Sequence, residues 1–169
     1  MTLNNSKSVI NLKIIRRTSI IIVAVFLLLT YVAKIIKFPL LGINQAGWTI
    51  LIVGCFLVII LIPILLNYQY IFYSDEGEAL IIRYFTTGFL EGTKNSIEID
   101  KRTFSGFVLE KKFFGLSQSI TLYQRHKKGV AKYPPVFINA LKREERRKIL
   151  ISLNSYAPRI KDDTLGDMS

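Results

Sequence analysis

Residues that usually carry chemistry are scarce in this chain. Its 169 residues hold one cysteine, Cys55, and one histidine, His126. One cysteine excludes an internal disulfide framework and a cysteine pair for a metal. Cys55 lies within a long apolar run, where a small apolar side chain suits the surroundings. His126 stands between Arg125 and Lys127 with no neighbouring carboxylate to orient it, so it reads as a solvated hairpin residue rather than a general base. Neither an HExxH motif nor a glycine-rich phosphate loop leading into a helix is present. No catalytic residue, metal ligand or cofactor is therefore expected, and the chain is read as a binding protein rather than an enzyme.

Negative charge is missing from a whole region. No Asp or Glu precedes Asp75, and all 12 acidic residues follow, although the chain as a whole carries +11. Half of the residues are hydrophobic, and they concentrate where the acids are absent. Thr18 to Ala33 is 16 residues without a charge, and Ile35 and Ile36 continue the run past Lys34, whose amine can snorkel outward. A second uncharged stretch runs from Phe38 to Ser74 and is most apolar from Trp48 to Leu66. A crossing helix needs roughly 20 such residues. The expectation is a two-helix transmembrane hairpin within residues 18–70, with spans at about 18–36 and 48–68. Trp48, Tyr68 and Tyr70 suit the interfacial aromatic belts, and Arg16, Arg17, Lys34 and Lys37 the charged membrane edges. Residues 1–17 read as a basic cytoplasmic tail. Four basic residues in that tail against two near the connecting loop place both termini in the cytoplasm, with the chain in a cytoplasmic membrane.

After about Asn67 the pattern changes to short, β-branched and aromatic runs separated by turn residues. Strands are predicted at Tyr68–Ser74, Ala79–Phe85, Asn95–Asp100, Phe104–Lys111, Ser119–Gln124, Gly129–Tyr133 and Val136–Asn139. One helix follows, over Leu141–Tyr156, with Asn139 as its N-cap and an apolar stripe of Ile149, Leu150, Leu153, Tyr156 and Ala157. Pro158 ends it, and residues 158–169 read as a disordered tail.

Tyr70–Tyr73, Ile97-Glu98-Ile99, Phe107 to Glu110, Leu122-Tyr123 and Ile138 to Leu153 together give this layout of strands and final helix. It resembles the pleckstrin-homology (PH) fold, and in particular the bacterial PH-like membrane proteins. The resemblance covers about residues 18–156. It implies an α+β membrane protein in which a PH-like seven-stranded barrel at 71–157, capped by a C-terminal helix, follows the helical hairpin. The first strand connection departs from the phosphoinositide-binding members: it is acidic (Asp75, Glu76, Glu78), so that binding mode is not implied.

Positive charge is the remaining signal. Between Lys101 and Lys148 there are 13 Lys or Arg and only 3 Glu. Lys111 and Lys112 form one cluster at a predicted strand end, and Arg125, Lys127 and Lys128 form another. A third is Lys142-Arg143 with Arg146-Arg147-Lys148. Such clusters near an anionic leaflet gain about 1 kcal/mol per Lys or Arg. The first two are the candidate site for an anionic lipid headgroup or a protein partner. The chain is thus expected to be a membrane-anchored binding or scaffold module, or alternatively an accessory subunit whose helices recognise a larger membrane complex. Nucleic acid is disfavoured, because Phe113, Phe114 and Tyr123 are the only aromatics near the clusters.

Overall fold

The computed structural model of the chain describes residues 1–87, 92–127, 129–157 and 160. Lys128, the expected turn around Gly88 and Glu91, and the tail expected at 158–169 lie outside these residues, Ile160 apart. The chain divides into two units: Met1–Val9 with Leu66–Ser169, and Ile10–Leu65.

The first unit is α+β. Strand β1 (Thr2–Asn4) lies at the N-terminus, followed after the helices by β2 (Gln69–Ser74), β3 (Ala79–Thr86), β4 (Asn95–Asp100), β5 (Phe104–Lys112), β6 (Ser117–His126), β7 (Gly129–Lys132), β8 (Val136–Phe137) and helix α3 (Arg143–Tyr156). Strands β2 to β8 coincide with the seven predicted from alternation, within two residues at nearly every end. Two antiparallel sheets result: β1-β2-β3-β4, and β5-β6-β7 with β8 also on β6. In the first sheet Leu80 faces Ile99, Ile82 lies between Tyr73 and Ile97, and Tyr84 faces Ile71. All seven are buried. Period-two alternation has put them on one face, where they meet Phe107, Leu109, Ile120 and Leu122 of the second sheet. Gly106, at φ 145°, absorbs a bulge that shifts the β5–β6 register next to Phe104.

The expected closed barrel is not found among the described residues. The edge of β2 that a barrel would use for closure is occupied by β1, whose Leu3 pairs with Tyr73. The N-terminal residues are accordingly no free tail. Asn5, fully buried, donates to the Gln69 carbonyl (2.9 Å) and accepts from the Ile71 N–H (2.8 Å), which locks the end of β1 to the start of β2.

The two-span hairpin is also overturned. In the second unit only helix α2 (Gln45–Leu65) is long and apolar enough to cross a membrane, and none of it is buried within the protein. Helix α1 (Ser6–Leu27) starts twelve residues before Thr18, so Lys7, Lys13, Arg16 and Arg17 lie within it. Its regular part ends at Leu27, where a π-helical turn (Leu28–Val32) takes over, and Lys34 then adopts φ 52°. The uncharged α-helical part, from Thr18 to Leu27, spans only about 15 Å, half of a hydrocarbon core. Pro63 lies in the last turn of α2.

Helix α3 begins at Arg143, and the Lys142 N–H donates to the Glu145 carboxylate (2.8 Å) at its start. Asn139 is therefore not the N-cap. Ile149, Leu153 and Ala157 enter the core as the stripe predicted, whereas Tyr156 stays exposed under the Lys101 ammonium, 4.7 Å from its ring centre. Leu153 is fully buried, so Leu153→Ala should cost about 2–5 kcal/mol in denaturant unfolding. A loss under about 1 kcal/mol would show that α3 does not close this core.

Candidate functional site

Strands β5 and β6 form a hairpin that ends in a basic, aromatic tip. Lys111 pairs with Gln118 and Lys112 with Ser117. Beyond them the chain turns through Phe113–Gly115. Phe113 (φ 51°) and Phe114 (φ 55°) both take left-handed backbone conformations, each costing of order 1–3 kcal/mol for a residue with a side chain. The turn does not bury what it strains. Phe113 and Leu116 are 67% and 66% exposed, and Phe114 is fully exposed. Both lysines are also exposed, and Lys112 reaches Glu110 at 3.4 Å in a solvent-screened ion pair. Three large apolar side chains beside two ammonium groups suit a surface that is anionic outside and apolar beneath.

A polar lock fixes where this tip sits. The buried Asn139 side chain accepts from the Gln118 N–H (2.6 Å) and donates to the Leu66 carbonyl and to Ser117 Oγ (3.4 Å). Leu66 is the residue that directly follows α2. The base of the tip is thus joined to the point where the chain leaves its one long apolar helix. Gln69 adds a second tie, accepting from the Phe137 N–H at 2.9 Å.

The other predicted cluster is elsewhere. Arg125 and Lys127 are exposed at the opposite end of β6, where Arg125 pairs with Val130 and His126 with Gly129. Strand β6 is continuous over ten residues, so its ends are separated by about 30 Å. Lys111 and Lys112 therefore do not share a site with Arg125 and Lys127. Lys128 lies outside the described residues. Among the membrane-edge residues, Lys34, Lys37 and Trp48 belong to the connection before α2 and its first turn, where the Trp48 indole donates to the Leu40 carbonyl (3.0 Å). Arg16 and Arg17 lie midway along α1. Tyr68 precedes β2 and is tied by its carbonyl to Thr87, and Tyr70, within β2, stacks on Phe85 at 4.7 Å between ring centres.

Away from the tip, α3 is held to the first sheet by an ionisable cluster. Tyr73 Oη and Ser152 Oγ are 2.7 Å apart, and Ser152 donates to Asp75, whose carboxylate also meets the Met1 ammonium. Burial pushes the Tyr73 phenol up to about 12. Burial would raise Asp75 too, but the Met1 ammonium, the Ser152 hydroxyl and Lys101 outweigh it and hold the carboxyl below its usual value of 3.8. These groups are bonded to one another.

Comparisons with protein-family models, with curated proteins and with solved structures find no match for this chain.

Sequence reasoning missed the role of Asn139, which a cap position explained equally well. It also passed over Phe114 and Leu116, although a Phe-Phe-Gly-Leu run directly after two lysines was visible. Asn139→Ala should lower stability by about 1–3 kcal/mol, because it strands the Leu66 carbonyl and the Gln118 N–H. It should also speed amide exchange at residues 113–118; protection unchanged there would show that the lock does not hold the tip. Asp75 stabilises the fold above pH 3.8, and this contribution is lost as pH falls through its depressed folded value. Asp75→Asn should lower the melting temperature at neutral pH and flatten its fall on acidification. An unchanged acid limb would exclude Asp75 as a source of the pH dependence.

Proposed function

We propose that the chain is a membrane-attached binding module, of the kind that the PH-like resemblance implies, whose β5–β6 tip engages an anionic leaflet. Attachment comes from the apolar surface of α2 (Gln45–Leu65), and because β1 pairs with β2 both ends of the helical segment lie with the basic unit on one side of the membrane, the cytoplasmic side. The observation that carries this reading is the Asn139 lock, because it ties Ser117 and Gln118, at the base of the Lys111–Leu116 tip, to Leu66, the residue that follows α2 in the chain. Each phenylalanine that enters the acyl boundary gains about 1.5–3 kcal/mol, and each lysine at the headgroups about 1 kcal/mol. Arg125 and Lys127, about 30 Å along β6, lie beyond the screening length of about 10 Å. They are left to face the cytosol, where an acidic protein partner could meet them.

The full chain in lipid nanodiscs tests this. A polarity-sensitive dye on L116C, in a Cys55→Ala background, should shift to the blue when anionic lipid is added, and the shift should fade at high salt. The pair K111E/K112E should abolish it, while R125E/K127E should leave it intact. A dye that stays in water with anionic lipid, or a shift indifferent to Lys111 and Lys112, would reject the reading. Retention of the chain in membranes through an alkaline carbonate wash checks the attachment separately.

A further inference from the structure

We propose that a cleft between α3 and the β5–β6 hairpin binds the phosphate headgroup of an anionic lipid, with arginine as the anion ligand. Helix α3 has two working faces. Ile149, Ser152 and Leu153 are buried in the core. Arg143, Arg146, Arg147, Leu150, Ile151 and Asn154 recur at spacings of three and four along a second face. This second face, with Phe107, Leu109 and Gln118, lines a cleft of about 760 Å³.

The lining separates into a cationic part and an apolar part. Three guanidiniums stand within one and a half turns of helix, and no carboxylate lines the cleft. None of the three forms an ion pair among the described residues. Arg146 goes further: its Nε is shielded from solvent and has no hydrogen-bond partner. Such a group is costly to leave unmet, and a guanidinium's planar fork matches a phosphate by two parallel hydrogen bonds. An anion seated there would offset the mutual repulsion among the three charges. Phe107, Leu109, Leu150 and Ile151 supply an apolar wall alongside, so the fitting ligand is amphiphilic rather than a free ion. Position agrees with this. Gln118 lines the cleft, pairs with Lys111 at the tip, and is the residue whose N–H the Asn139 lock holds. The inference rests on the bilayer-facing reading for the source of the ligand, but its chemistry is separate: the tip contacts the surface broadly, whereas the cleft selects one phosphate.

The test uses the full chain in neutral detergent micelles, titrated calorimetrically with dihexanoyl phosphatidic acid. This soluble lipid reports on the cleft without any bilayer, so the outcome does not depend on whether the tip faces a leaflet. Saturable binding with one lipid per chain is expected. It should weaken at least tenfold in R146Q and in R143Q/R147Q, and be unchanged in R102Q, which removes an exposed arginine outside the cleft. Circular dichroism melting of each variant verifies that α3 remains folded. Dihexanoyl phosphatidylcholine should bind at least tenfold more weakly than the acid. Equal affinity for inorganic phosphate would overturn the lipid assignment. The absence of saturable binding, or a loss shared equally with R102Q, would overturn the site altogether.

Discussion

One side-chain amide sets the geometry on which the functional reading stands. Asn139 comes just after the last strand and before α3, yet it bonds to the carbonyl that ends the apolar helix and to the N–H that starts β6. An amide suits this position because it offers an acceptor and two donors at once, and all are used in a buried environment. In such surroundings an unmet polar group is expensive, so the arrangement is all-or-none rather than graded. Three stretches far apart in sequence are thereby brought to one point: the helix exit, the hairpin base and the approach to α3. Without it, the base of the tip would have no fixed relation to Leu66.

Around that point the molecule sorts its charge by location. Two basic clusters that look equivalent in the sequence sit at opposite ends of the β5–β6 ladder, and rigid β geometry keeps them apart. The third lies on a helix face, beside a cleft. Only the first and third share a neighbourhood, through Gln118. The acidic residues that follow α2 serve a different purpose: Asp75 helps to join α3 to the sheet at the opposite end of β2 from the helix exit.

Much of the β-rich unit was legible because alternation is a local signal. Ile97 and Ile99, or Leu80 and Ile82, announce a half-buried strand whatever their partners are. What could not be read were features set by distant contacts. Strand β1 is three residues, Thr-Leu-Asn, with no pattern to separate it from a tail; it is a strand because β2 offers it an edge. Barrel closure failed for that same reason. The first span was misjudged because charge counting began at Thr18, while the helix had already begun at Ser6 among basic residues. The arginine cleft was half visible. The spacing of Arg143, Arg146 and Arg147 showed a charged helix, but a solvated face and a cleft wall have the same spacing, and only the position of Phe107 and Leu109 decides between them.

The pairing of Thr2 with Ser74 carries a consequence for biosynthesis. The two partners are separated by the entire helical segment, so the closing of this ladder is a late, high-contact-order event. A nascent chain must therefore expose β2 with one bare edge until its own beginning is recaptured, a long-loop search across the 64 residues between the two strands. Completion of the first sheet is in this way deferred by chain connectivity, with the oldest residues among the last to settle.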